Sequence, residues 1–167
     1  MREIKFRAFS KEDGKMYYLG DDGGMHFHLG WTSWTFHASG SSNIPCGTWG
    51  FPDDSDILMQ YTGLKDKNGK EIYEYDLLRR TYPAGYTIYE VRFGEYDNGE
   101  CPSDYDGGYG WFLKKAYAVH NGKEEDILAE DVYGMGSDSY YQDGAEVIGN
   151  IYENPEFLPA QEVEDEG

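Results

Sequence analysis

Leu58-Met59-Gln60-Tyr61-Thr62-Gly63-Leu64-Lys65-Asp66-Lys67-Asn68-Gly69-Lys70-Glu71-Ile72-Tyr73-Glu74 sets an Asp-Lys-Asn-Gly turn between two runs rich in apolar and aromatic residues. Asn-Gly is a strong short-range hairpin signal, because both residues tolerate the positive φ that a primed two-residue turn demands. The stretch therefore predicts two antiparallel strands joined at Asn68-Gly69.

The same signals recur outward from it. Arg2 to Phe9 alternates, with Ile4, Phe6 and Ala8 on one face and Glu3, Lys5 and Arg7 on the other. This predicts a half-buried strand, with Met16 to Leu19 returning beside it after Glu12-Asp13-Gly14-Lys15. Phe27, Leu29 and Trp31, then Trp34 and Phe36, predict two further strands. Residues 38–56 are rich in Ser, Gly and Pro and predict a long irregular loop. Tyr89, Val91 and Phe93 alternate, Trp111 to Val119 is a strand ended by Asn121-Gly122, and Ala145 to Tyr152 is a last strand stopped by Asn154-Pro155. In that last strand, Val147 and Ile151 are expected to face an interior together with Val91 and Phe93. Ile148 and Tyr152 would then cover an outer surface. Lys123 to Ala129 has room for one or two helical turns.

Composition supports a β-rich chain. Of 167 residues, 39% are hydrophobic and 17% aromatic, with 16 Tyr and 22 Gly, so large rings on pleated surfaces compensate for a modest aliphatic content. Mean hydropathy is −0.75. Cys46 and Cys101 form no Cys-x-x-Cys pair, and no run approaches the ~18 apolar residues of a membrane span. The expectation is a cytoplasmic protein with reduced thiols and no membrane contact.

Net charge is −18 and unevenly placed: residues 1–20 carry five basic and three acidic groups, whereas residues 94–146 carry three Lys against thirteen acids. Phosphate contacts need clustered Lys and Arg, so direct binding to duplex DNA is not expected, whereas a basic protein partner is favoured.

Three blocks carry a family resemblance: Arg2-Glu3-Ile4-Lys5-Phe6-Arg7-Ala8, the hairpin stretch above, and Glu146-Val147-Ile148-Gly149-Asn150-Ile151-Tyr152-Glu153-Asn154-Pro155. Together they resemble the YopX family of bacteriophage and prophage proteins, in order and across almost the whole chain. The resemblance implies a phage lineage and an SH3-like barrel over residues 57–155, and it brings no biochemical activity. It also implies a Tyr-Glu-Gly-Asp corner, where this chain has Tyr73-Glu74-Tyr75-Asp76. A corner that needs φ > 0 would strain a tyrosine at position 75.

Candidate chemistry is sparse. His26, His28 and His37 have zinc-like residue types, but no Cys or placed carboxylate completes a set, and the solvent side of a strand is the easier home for them. Asp104-Tyr105-Asp106-Gly107-Gly108 starts like a calcium loop, yet the twelfth position counted from Asp104 is Lys115, a cation where an acid is required. Asp53, Asp54 and Asp56 form an acidic cluster without a positioned partner. The chain has no phosphate-binding loop or nucleophile elbow. Aromatic residues in Gly- and Asp-rich segments are the better clue: Tyr105, Tyr109, Trp111, Tyr133, Tyr140 and Tyr141.

The sequence thus points to a mainly β protein: an SH3-like small barrel or roll with additional N-terminal β strands and at most short helices. Its organisation is 1–56 as N-terminal strands and loop, 57–155 as barrel, and 156–167 as a disordered acidic tail. The expected function is a non-enzymatic phage accessory protein in the bacterial cytoplasm, without a cofactor. It would act on an unknown protein partner through Asp104, Tyr105, Asp106, Tyr109 and Trp111, and homo-oligomers are compatible with this. The alternatives are an acidic nucleic-acid mimic that inhibits a host DNA-binding protein and, third, a metal-dependent enzyme.

Overall fold

A computed structural model describes residues 3–11, 14–18, 25–29, 34–38, 56–97, 107–125, 132–135 and 144–158, with 25–29 and 34–38 defined by their backbone pairing. The chain forms two compact units, residues 1–61 and 62–167. The architecture is mainly β, as the residue patterns require.

In the first unit, β1 (Phe6–Ser10) pairs antiparallel with β2 (Lys15–Tyr18) on one side. Its other side pairs with the first half of β5 (Asp56–Lys65), in the register Phe6↔Gln60 to Ser10↔Asp56. The alternation expected for the first block fails in detail. Ile4 precedes the ladder and is 67% exposed, whereas Arg7 is buried and its Nε donates to the Met59 sulfur at 3.2 Å. A strand flanked on both sides buries more of its length than its polarity pattern suggests, and the buried guanidinium finds a polarisable acceptor. A separate hairpin joins β3 (Met25–Leu29) to β4 (Trp34–Ala38), with Phe27 opposite Phe36 and His26 opposite His37.

In the second unit, the second half of β5 turns into β6 (Glu71–Tyr73). The turn is tight, but it is not the primed one. Gly69 has φ 83° and Asn68 is not among the positive-φ residues, while Gly69 N donates to Asp66 O at 2.9 Å and Asp66 N to Lys70 O at 2.8 Å. This is a type I turn completed by one left-handed glycine. Its cause is Asp66, whose Oδ1 accepts from the backbone N–H groups of Asn68 and Lys70, both at 2.8 Å.

A six-stranded sheet follows in the order β10-β9-β8-β7-β12, with β11 also on β9. The strands are β7 (Asp76–Tyr82), β8 (Gly85–Asp97), β9 (Gly107–His120), β10 (Lys123–Glu124), β11 (Val132–Gly134) and β12 (Glu146–Asn150). The sheet curls into a half-barrel, the open form of the expected roll. Lys123 and Glu124 pair as strand rather than starting a helix, because Asn121 (φ 50°) and Gly122 (φ 75°) form a primed turn there. Pro155–Phe157 is a single 3-10 turn. The core consists of Ile72, Leu78, Tyr89, Val91, Trp111, Leu113 and Ala145, with Leu64, Tyr133, Met135 and Val147 packed against it.

Two interior assignments need correction. β12 bulges between Val147 and Gly149 and ends at Asn150, so Ile151 lies in a turn, half-buried, and not on the Val147 face. Phe93 continues the Val91 face but is 45% exposed, because β8 and β9 run on together past the core as far as Asp97↔Gly107.

A candidate aromatic interaction site

That overhanging β8–β9 ribbon carries the most exposed large ring among the described residues. Phe93 sits opposite Trp111, and Glu95 opposite Tyr109, so all four share one face. Tyr109 is 77% exposed and meets Phe93 edge-to-face, at a centroid distance of 5.4 Å and an interplanar angle of 81°. Phe93 in turn lies 4.8 Å from the Trp111 ring. On the opposite face Tyr96 packs on Phe112 at 5.4 Å and crosses Gly108 and Gly134 so closely that a side chain at Gly134 would collide with the Tyr96 hydroxyl. Rings on both faces stiffen the ribbon, and edge-to-face pairs of this kind contribute roughly 0.5–1.5 kcal/mol beyond area burial. The outcome is a graded stack: Trp111 anchored in the core, Phe93 half out, and Tyr109 presented to solvent beside an acid.

The residues singled out from sequence distribute unevenly around this stack. Tyr109 is exposed as expected, but it stands on a paired strand, not in a pliable glycine loop. Trp111 is only 7% exposed and belongs to the core, since its position on β9 puts it beside Leu113 on the packed face. Tyr133 is half-buried with its ring 6.0 Å from Tyr89. Asp104, Tyr105, Asp106, Tyr140 and Tyr141 lie outside the described residues, as do Asp53, Asp54, Cys46 and Cys101. Asp56 opens β5 opposite Ser10. Among the residues with described side chains, no three of His, Cys, Asp or Glu gather as a metal would need. Phe93 is the member that sequence reasoning misplaced. Period-two alternation gives its face but not where the covering layer stops.

A second cluster forms at the corner between β6 and β7, beside the end of β12. Tyr75 holds φ 64°, the strained corner foreseen for this position. Its backbone N donates to Val91 O at 2.8 Å, and its carbonyl accepts from Ile151 N at 3.1 Å. The Tyr75 ring meets Tyr152 edge-on at 5.5 Å, and the Arg92 guanidinium lies 5.0 Å from its centre. Arg92 Nε is also 2.6 Å from Glu90 Oε1. Burial pushes both phenols above their ordinary pKa, with further help from Glu74 at Tyr75 and from Tyr75 at Tyr152.

Nearby, Asp66 Oδ2 accepts from Val147 N at 3.0 Å, and Asp76 faces Asn150 across the β7–β12 ladder. Asn150 Oδ1 takes the backbone N–H groups of Tyr152 and Glu153 at 3.0 and 2.9 Å. The middle and final blocks quoted above thus converge on one clasp, and their chemistry is that of closing the sheet.

Fold and surface together define an all-β protein with a half-barrel and a solvent-facing aromatic stack, and none of the described residues forms a recognisable catalytic constellation. The sequence matches the family described as YopX protein over residues 5–159, and the chain belongs to that family. No curated protein matches it. Among solved structures it is similar to the crystal structure of protein EF1440 from Enterococcus faecalis, with 24% identity, 95% of this chain and 100% of that chain covered, and a TM-score of 0.46. Among the described residues no helix is long and apolar enough to cross a membrane.

Proposed function

We propose that this YopX-family protein is a non-catalytic phage or prophage accessory factor of the host cytoplasm that binds a protein through the Phe93–Tyr109 face. The supporting observation is the position of Tyr109, which is 77% exposed and braced by Phe93 on a ribbon packed on both faces. Rigid aromatic side chains supply contact area at low entropic cost, and hot spots of protein interfaces are rich in them. Glu95 on the same face and the net charge of −18 favour a basic partner.

Affinity capture from a bacterial lysate at low and high salt tests this. Tyr109→Ala and Phe93→Ala are expected to lose the captured partner, while Glu95→Gln slows association and reduces its salt sensitivity. Retention of the same partner by both aromatic variants would move the interface elsewhere.

The charge favours a second reading, an acidic mimic of nucleic acid occupying a basic groove. A mimic loses its partner steeply as salt rises and is indifferent to Tyr109→Ala.

A further inference from the structure

The six-stranded sheet holds a cavity that neither the clasp nor the aromatic stack uses. In an antiparallel pair, directly opposed residues share a face and successive residues alternate between faces. Leu78 and Tyr89 oppose each other in the core, so Arg79 and Ile88, one residue along, oppose each other on the other face. Tyr117 stands opposite Ile88 on that face, and Tyr86 and Glu124 both stand opposite Val119. The 3-10 turn that follows β12 adds Glu156 and Phe157 to the lining. The result is an open cavity of about 680 Å³ with the buried Ile88 in its wall. Small-molecule sites occupy about 300–1,000 Å³, far more than a single side chain fills.

Its charge is one-sided. The Arg79 guanidinium is taken by Glu146, with Nη2 at 2.7 Å from Oε1. Glu124 accepts from the Tyr117 hydroxyl at 2.8 Å, and Glu156 more loosely from Asn154 Nδ2 at 3.4 Å. Both donors are neutral, so both carboxylates keep their charge uncompensated among the described residues. The Tyr86 and Tyr117 rings stand 6.1 Å apart at 50°. We propose that this cavity binds a free aliphatic diamine or polyamine, with ammonium heads on Glu124 and Glu156 and a methylene stem over Tyr86, Tyr117 and Ile88. Tyrosine faces attract organic cations, and the apolar wall suits an alkyl stem. Mg²⁺ and Ca²⁺ want more oxygens than this, and no three acids gather among the described residues. A neutral ligand would desolvate the carboxylates without pairing them. The proposal is independent of the Phe93–Tyr109 face. Diffuse attraction of any cation to the acidic surface is the alternative to be separated.

The full chain is titrated by calorimetry with diaminopentane in excess MgCl₂ and NaCl, which screen diffuse attraction. The expected result is one equivalent per chain, with a dissociation constant on the order of 100 µM or tighter. Pentanediol, of the same length but uncharged, should not bind. Glu124→Gln and Glu156→Gln each weaken diamine binding about tenfold, and Tyr86→Ala and Tyr117→Ala at least about threefold. Glu3→Gln, which removes a charge elsewhere on the surface, leaves it unchanged. Uptake that Mg²⁺ displaces, or that survives the four substitutions, overturns the proposal, as does the absence of uptake. The diol comparison needs no substitution and so covers misfolded variants: equal binding of diol and diamine overturns the assignment. A lysine-rich peptide that binds through these residues where the free diamine does not would overturn it equally, since the occupant would then be a protein side chain.

Discussion

At Asp66 one carboxylate performs two tasks. Oδ1 shapes the turn through Asn68 and Lys70, and Oδ2 holds Val147, 81 residues along the chain. Burial works against its charge, but the backbone N–H groups of Val147, Lys70 and Asn68 and the nearby Lys70 ammonium outweigh it and hold the pKa below 3.8. A carboxyl depressed in the folded state stabilises fully above its unfolded pKa, and that stabilisation is lost as pH falls through the folded value. Asp66→Asn keeps one acceptor and turns an amide N–H₂ toward a donor, so a loss of about 1–3 kcal/mol is expected at neutral pH. Urea unfolding at pH 7 and at pH 3 checks both points, since the gap between parent and variant should narrow in acid. Tyr75 poses a different balance, left-handed strain against ring packing on Tyr152 and Arg92. Tyr75→Ala removes the rings and keeps the strain; Tyr75→Gly removes both. The glycine variant should therefore be the more stable of the two by about 1 kcal/mol in thermal unfolding, and equal stability would show that the corner relaxes without cost.

Among elements, two Asn-Gly pairs illustrate what the residues alone can specify. Asn121-Gly122 adopts the primed turn, with both φ positive, whereas at Asn68-Gly69 only the glycine does. The dipeptide signals a hairpin in each case, but at Asn68-Gly69 the geometry is decided by Asp66, two residues upstream, whose partner Val147 is invisible to local pattern. The existence of β1 to β4, β8 and β9, and the pairing of β1 with β2, were legible from alternation and turn residues. The exposure of Phe93 and the face of Ile151 were not, because one depends on where the core ends and the other on a bulge. Of the candidate site, Tyr109 was legible from its polar surroundings, while Trp111 shared those surroundings and is core. Flanking composition describes a neighbourhood and not a direction. Gly85 offers a test of the β8–β9 approach: a Cβ there would run into the Val119 carbonyl. That obstacle is backbone and cannot rotate away, so Gly85→Ala should cost at least the ~1–3 kcal/mol typical of overpacking. A melting temperature equal to that of the parent would mean that the strands separate easily at this end.

For the whole molecule, charge dominates. A net charge of −18 repels itself in the compact state, and the described ion pairs, such as Arg79–Glu146 at 2.7 Å and Lys67–Glu146 at 3.1 Å, are surface pairs of small individual effect. Adding NaCl should therefore raise the melting temperature, since screening relieves more repulsion than it weakens attraction. A fall with salt would reveal that local pairs outweigh the field.

The clasp also sets an order in time. The backbone bonds that secure β12, from Val147 to Asp66, along the Leu77 and Leu78 ladder, and from Ile151 to Tyr75, join positions about seventy or more residues apart. None of them can form until β12 has left the ribosome, whereas the β5–β6 and β7–β8 hairpins close locally. Contacts of such long range carry a large loop-closure entropy and tend to form after the rate-limiting step. Weakening the clasp at Asp66 should then leave the refolding rate nearly unchanged and accelerate unfolding. In a cell, the nascent protein would spend its slowest moments with β7 uncovered, a half-built edge waiting for its last strand.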